Sequence, residues 1–320
     1  MDLLGFLLNF IMPKTAKSAQ LRRFLERIDG AYAPNSIRAF RADFEEFEDF
    51  CRLARRRPLP ATPETIAEFI DAQLERGIRA ATVKRKLTSI AAVHRLSDLA
   101  DPTKSSTVRI SVRRMCRRLG GAYRQAFPVN DKLLKQLLSA TDSSLMGLRD
   151  RALLLIAYDT LARRSEIITL KIEDIEVSDD GAAIHLKQSK TDQNAEGRWL
   201  SISKRTLKAI HTWTKAARIR SGYIMRAINR HGHVSEKRIT PEQISRILKK
   251  LAQGAGLPQE KVDRISGHSL RVGAAQDWAR RGASLPQLMI LGRWEKPDTV
   301  IRYIGGARLN VERLSLERRL

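Results

Sequence analysis

From Lys14 to Arg118 apolar residues return every three or four positions, the spacing that gathers them on one side of a helix. The pattern predicts a first helix from about Ala16 to Ile28, ending at Asp29-Gly30. A second opens after Pro34 with Asn35 as its N-cap. It turns Phe40, Phe44, Phe47, Phe50 and Leu53 inward and Ser36, Arg38 and Arg41 outward. A third begins with Thr62-Pro63-Glu64, an N-cap, an N1 proline and a first-turn acid. It buries Ile66, Phe69, Ile70 and Leu74 and stops at Gly77. The fourth covers about Ala80 to Leu96, with Val83, Leu87, Ile90 and Val93 as its buried stripe and Lys84, Arg85, Thr88 and Ser89 mostly off it. A fifth, about Thr107 to Arg118, is crowded with Arg109, Arg113, Arg114, Arg117 and Arg118.

Beyond Gly120-Gly121 the pattern changes. Helices are predicted over Asp131 to Ala140 and Leu148 to Leu161, the second apolar enough for a central core helix. Ile172 to Val177, Ala183 to Ser189 and Trp199 to Ile202 alternate in period two between turn signals, which reads as a small three-stranded antiparallel sheet. Helices resume over Ser203 to Ala217 and from Thr240-Pro241-Glu242 to about Gln253. A short helix opened by Pro297-Asp298-Thr299 and closed by Gly305-Gly306 carries Tyr303. The fold class is therefore mainly α: an all-helical N-terminal domain followed by an α+β domain with a small antiparallel sheet. The chain divides into an arm (1–14), a helical domain (15–119), a linker (120–127), a mixed domain (128–306) and an amphipathic tail (307–320).

Charge changes the picture more than length does. The 320 residues hold 59 Lys and Arg against 35 Asp and Glu, a net charge of +24. A field of that sign calls for a polyanionic partner, and nucleic acid is the leading one. A membrane-surface protein would concentrate its basic residues on bulky amphipathic helices, whereas here they run through the whole chain. Cys51 and Cys116 are the only cysteines, so no disulfide framework or zinc pattern arises and a cytoplasmic, nucleoid-associated setting fits. The apolar start, Met1 to Ile11, is too short to span a bilayer and lacks a basic secretion signal. It is read as an arm, or as a stretch preceding a true start at Met12.

The candidate chemistry lies in six ordered positions: Arg163, Lys190, His268, Arg271, Trp294 and Tyr303. Each alone has an ordinary reading. His268 and Arg271 could be a helix-surface pair, Arg163 with Glu166 a helix-start ion pair, Lys190 a solvated turn residue and Tyr303 half-buried core. Together they suit transfer of a phosphodiester to a tyrosine. Two guanidiniums can bind the equatorial oxygens of the transition state in fork geometry. Trp294 and His268 can add N–H donors, each preorganised donor contributing roughly 10²–10³ in rate. Lys190, at the mouth of a hairpin turn, can protonate the leaving 5′ oxygen, and His268 can accept or orient the phenolic proton. Glu166 is expected to hold the arginine and histidine cluster. No HExxH, GxxxxGK[ST] or paired-carboxylate motif is present, so neither metal nor cofactor is expected.

These residues carry a resemblance. Thr160-x-x-Arg163-x-Ser165-Glu166-Ile167 resembles the first-arginine box of the tyrosine recombinases (the phage-integrase family). Gly267-His268-Ser-Leu-Arg271-Val-Gly-Ala-Ala275 resembles the second box of the Cre-like members, Leu291-Gly-Arg-Trp294 their tryptophan position, and Tyr303 falls at the nucleophile spacing. The likeness runs from about Ala16 to the end and includes Val93-His94-Arg95 and Arg113-Arg114. It implies a site-specific recombinase that forms a 3′-phosphotyrosine bond and exchanges strands through a Holliday junction. It also implies a C-shaped clamp on duplex DNA with inverted-repeat sites, built from a core DNA-binding domain and a catalytic domain. The protein would be a monomer in free solution and a homotetramer on DNA, with the tail packed on a neighbouring protomer, and it would serve a mobile element or its host. DNA-binding positions fall on Ser36, Arg38, Arg41, Lys84, Arg85, Ser89 and Gln243. Several differ from the Cre-like pattern, so a different target site is expected. The arm has no family counterpart, and dependence on accessory arm sites is not expected. Two rivals share the fold: a topoisomerase-like enzyme that nicks and reseals, and a DNA-binding protein that has lost the reaction.

Overall fold

The computed structural model describes residues 18–120, 125–179, 181–187 and 197–305. Contacts divide the chain into two compact units, Met1–Tyr123 and Arg124–Leu320. The arm and the tail lie outside the described residues.

The first unit is helical: α1 (Ala19–Arg27), α2 (Pro34–Leu53), α3 (Pro63–Glu75), α4 (Ala80–Leu96) and α5 (Ser106–Leu119), with a 3₁₀ turn at Pro102–Lys104. Ser18, Thr62 and Ser105 each cap a helix by accepting a backbone N–H. α2 packs on α4 and α3 on α5. Phe44, Phe47, Phe69, Ile90 and Met115 are fully buried between them, and the rings of Phe47 and Phe69 meet edge-on at 5.2 Å. α2 starts earlier than expected. Pro34 holds the N1 position and Ala33 the N-cap, because a proline φ is already helical and its missing N–H costs nothing there. Asn35 therefore lies inside the first turn, where its Oδ1 accepts from Arg38 Nη1 at 3.0 Å.

The second unit begins with α6 (Asp131–Ser139), α7 (Leu145–Thr160) and α8 (Arg164–Ile167). The three-stranded antiparallel sheet follows: β1 (Ile175–Ser178), β2 (Gly181–Leu186) and β3 (Arg198–Ile202), in that order. Ile184 sits opposite Ile175 on one side and Leu200 on the other. Ile172–Asp174 forms a 3₁₀ turn, so the first strand starts later than the alternation suggests. Next come α9 (Lys204–Ala216), a hairpin of β4 (Arg226–Ile228) and β5 (Val234–Arg238), then α10 (Pro241–Gly254), α11 (Gln259–Arg264), α12 (Ser269–Arg280), α13 (Leu285–Gly292) and α14 (Pro297–Ile304). The β4–β5 hairpin and α11 were not expected; β4 is only three residues long and β5 is polar. Asn229 Oδ1 tightens the hairpin turn by accepting the N–H groups of His231 and His233.

α7 is buried nearly all round and packs against α9 and α12. Trp213 on α9 fills the centre, its indole N–H donating to Ile224 O at 2.7 Å. α12 lies close to the segment before α6. A β-carbon on Gly273 would come within 1.9 Å of Val129 O, so only glycine allows that approach. Phe127 N–H also donates to Arg264 O, and Val129 N–H to Ser269 O. Thus the C-terminal end of the expected linker packs on the second unit.

Candidate active site

The site forms where the end of α7 meets α12 and the α13–α14 corner. Leu161 adopts a left-handed conformation, φ 49°, and turns the chain after α7. Arg163 follows as the N-cap of α8. Its N–H donates to Glu166 Oε2 at 2.8 Å and its Nη1 to Glu166 Oε1 at 2.6 Å, while Nη2 reaches Arg293 O at 3.3 Å. Arg271, in the first turn of α12, is 2% exposed. Its terminal nitrogens donate to Leu161 O and Gly292 O. Those contacts use two of the five donors of a guanidinium, so others stay free for an anion.

The guanidinium of Arg271 lies over the ring of Trp294, 4.4 Å from its centroid, and 5.9 Å from that of Tyr303. The two rings are 5.0 Å apart at 53°. Leu161, Ala275, Leu288 and Val300 form the apolar floor with Trp294. Tyr303 is half-buried on α14, and its carbonyl accepts from Gln125 Nε2 at 3.0 Å and Gln276 Nε2 at 3.2 Å. These two amides fix the end of the helix that carries the phenol.

The electrostatics are those of a cation cluster held in place by one carboxylate. Burial alone would raise the Glu166 carboxyl, but Arg293, and then Arg163 through its N–H and guanidinium, outweigh it and hold it below its ordinary value. Burial, followed by repulsion from Arg163, lowers the pKa of Arg271; an arginine remains charged near neutrality even so. His268, the N-cap residue of α12, keeps an exposed surface. Partial desolvation, then Arg271, Arg164 and Arg163, push its imidazole below 6.5.

Arg163, Glu166, Arg271, Trp294 and Tyr303 converge, and His268 stands at the edge within the field of the arginines. Lys190 lies outside the described residues. Glu166 differs from expectation in one respect: its hydrogen-bond partners are Arg163 and Arg293, so it holds arginines and not the histidine. Sequence reasoning passed over Arg293, Gln125 and Gln276. Arg293 stood inside a quoted motif, but nothing local marks it as the second partner of Glu166.

The positions expected to face DNA divide. Arg38, Arg41, Lys84 and Arg85 are exposed and Ser36 is half-buried. Arg85 Nη1 is held by Asp43 at 2.5 Å. Ser89 does not share that face. It is 2% exposed and donates to Asp43 Oδ2 at 2.7 Å, because α2 covers that side of α4. Gln243 is half-buried, and its Oε1 accepts from Thr240 N–H as part of the α10 cap. A groove of about 940 Å³ is lined by Trp199, Trp278, Ile290 and Arg293, among others. No helix among the described residues is long and apolar enough to cross a membrane.

Three comparisons bear on this arrangement. The profile described as "Phage integrase family" matches residues 129–308. The chain is 29% identical over 310 residues to an integrase/recombinase XerD homolog of Selenomonas ruminantium, covering 92% of this chain and 90% of that protein. It is 27% identical over 313 residues to recombinase Cre of Escherichia phage P1, covering 92% and 91%. Among solved structures, XerH site-specific recombinase in a post-cleavage complex with a palindromic difH substrate superposes with a TM-score of 0.65 at 17% identity, over 93% of this chain and 84% of that one. That last likeness concerns the fold.

Proposed function

The chain belongs to the phage integrase family and is a tyrosine site-specific recombinase; from that premise we propose that it cleaves duplex DNA with Tyr303 as nucleophile. The observation that carries the proposal is the stack of Arg271, Trp294 and Tyr303, with rings 5.0 Å apart and the guanidinium 4.4 Å from the indole. The phenolic oxygen attacks the scissile phosphorus. The bond to the 5′ oxygen breaks, and a 3′-phosphotyrosine remains. Arg163 and Arg271 bind the non-bridging oxygens, where negative charge grows in the transition state, and the Trp294 indole N–H adds a donor. His268, neutral at pH 7, receives or orients the phenolic proton, and Lys190 supplies the proton to the leaving 5′-hydroxyl. One ester replaces another, so the energy of the broken link is kept and no nucleotide cofactor is consumed.

The rest of the reading follows from reversing that step on a second strand. A 5′-hydroxyl from the partner duplex attacks the phosphotyrosine, giving a Holliday junction, and a second round resolves it. The proposed assembly is a homotetramer on inverted-repeat sites, formed from monomers, acting in the cytoplasm. The tail, which carries Leu309, Leu314 and Leu316, is proposed to dock on a neighbouring protomer. Arg38, Arg41, Lys84 and Arg85 are proposed DNA contacts of the helical unit. The test is a suicide substrate, nicked near the cleavage point and built on DNA selected from a random-sequence library. Wild-type protein should become covalently trapped, in EDTA as well as in magnesium, and Tyr303→Phe should bind without trapping. Trapping that survives the phenylalanine change would refute the assignment of Tyr303.

A further inference from the structure

We infer that Arg293 is a positioning residue of this site: its backbone orients one carbonyl toward each phosphate-binding arginine, and its buried guanidinium offsets the charge of Glu166. The inference rests on the reading of Arg163 and Arg271 as phosphate ligands.

Two observations are hard to explain by stability alone. Arg293 closes α13 in the left-handed conformation, φ 55°, where glycine is the unstrained choice. Yet the position holds an arginine, and its side chain is only 5% exposed. The backbone geometry has a direct consequence. Gly292 O accepts from Arg271, and the next carbonyl, Arg293 O, accepts from Arg163 at 3.3 Å. One left-handed corner thus orients both guanidiniums.

The side chain has a separate part. Arg293 Nη2 donates to Glu166 Oε2 at 3.0 Å and Leu161 O at 3.3 Å, and Nη1 to Thr160 O at 3.1 Å and Leu291 O at 3.3 Å. Leu161 O is also the acceptor for Arg271. The buried Nε–H of Arg293 finds no hydrogen-bond partner, so burial of this group is imperfect as well as strained. A guanidinium so enclosed acts on a phosphate only through its neighbours. Without it Glu166 would face Arg163 alone, neutralise one of the two phosphate-binding charges and draw that side chain toward itself. With it, the carboxylate is shared and the cluster stays strongly cationic. In a low-dielectric site that difference acts directly on a transition state gaining negative charge.

Arg293→Gly separates the two parts, because glycine accepts the left-handed corner and leaves the charge out. The experiment compares wild type, Arg293→Gly, Arg293→Lys and Tyr303→Phe on the nicked suicide substrate at saturating DNA, with binding measured on the intact site. Arg293→Gly should bind as wild type does, cleave about 10²-fold more slowly in a single turnover, and recover part of its rate in millimolar methylguanidinium, which leaves wild type unchanged. Arg293→Lys keeps a charge but cannot fork between Glu166 and the carbonyls, so it should be slowed less and show no recovery. Cleavage by Arg293→Gly at the wild-type rate, a loss of cleavage matched by a loss of binding, or a slow variant that methylguanidinium does not help would each overturn the inference. If Arg293→Gly fails to fold, Arg293→Lys decides: wild-type cleavage by it also overturns the inference. Wild-type protein that forms no covalent complex would instead sink the reading of Tyr303.

Discussion

Gly292→Ala sets a helix preference against a collision, and the distances decide which wins. Gly292 ends α13 beneath the indole of Trp294, and its φ is not left-handed. On propensity alone alanine would gain up to about 1 kcal/mol there. Its β-carbon, however, would lie 2.0 Å from Cζ3, 2.1 Å from Cε3 and 2.5 Å from Cη2 of Trp294. Carbon atoms pack at about 3.5–4 Å, so the ring must retreat by roughly 1.5 Å. Trp294 is 7% exposed and rests on a packed floor. Overpacking of that kind costs about 1–3 kcal/mol. Moving the indole also weakens its contacts with Arg271 and Tyr303, about 0.5–1 kcal/mol each. The net expectation is a loss of about 2–4 kcal/mol, which lowers the Tm of a unit this size by about 5–15 °C. Because the displaced ring touches both Arg271 and Tyr303, the proposed phosphate ligand and nucleophile, single-turnover cleavage should also fall by about 10²-fold. Gly254→Ala is the control: its β-carbon meets nothing nearer than Ala140 Cβ at 3.9 Å, and it should be neutral or slightly stabilising. Thermal unfolding followed by near-UV circular dichroism, with the suicide-substrate assay, reads both. If Gly292→Ala melts with Gly254→Ala and cleaves like wild type, the packing argument is wrong.

Other groups in both units give three further measurable outcomes. His268 has its pKa lowered by desolvation and by Arg271, Arg164 and Arg163, so in its proposed role of proton acceptor it fails only as pH falls through that lowered value. The acid limb of single-turnover cleavage should lie below pH 6.5 and vanish in His268→Asn; a limb at or above 6.5 would contradict this. In the helical unit His94 is fully buried, accepts from Ala61 N–H at 3.0 Å and pairs its Nδ1 with Ile90 O at 2.8 Å. Burial lowers its pKa, so its contribution to stability is complete above about pH 6.5, its unfolded value, and is lost as pH falls through the folded one. Hydrogen exchange at Ala61 should quicken over that window; constant protection down to pH 4 would count against the pairing. Finally, binding should weaken steeply with salt. Arg38→Ala should reduce the log–log slope by about one unit, whereas Ser89→Ala, buried against Asp43, should leave it unchanged; the opposite order would reverse the assignment of the α4 face.

What the sequence determined by itself was whatever depends on near neighbours. The three-and-four spacing of Phe44, Phe47, Ile66, Phe69, Ile90 and Val93 fixes which helix faces are apolar. Prolines 34, 63 and 297 mark helix starts, and the period-two runs around Ile184 and Leu200 announce the sheet. The ordered arginines, tryptophan and tyrosine also carried the resemblance to the tyrosine recombinases, the family to which the chain belongs. The tertiary structure decided every relation across long stretches of chain. Ser89 has an outward-looking sequence position, and only the carboxylate of Asp43 on a different helix makes it core. β4 and β5 are too short and too polar to declare themselves, and pairing across the Asn229 turn is what makes them strands. Glu166 and Arg293 stand more than a hundred residues apart. Their ion pair exists because a left-handed corner after α7 meets a left-handed corner after α13. Periodicity is written in adjacent residues, but the placement of a buried charge is set by the solvent-excluded space that several elements close together, and no single segment carries that information.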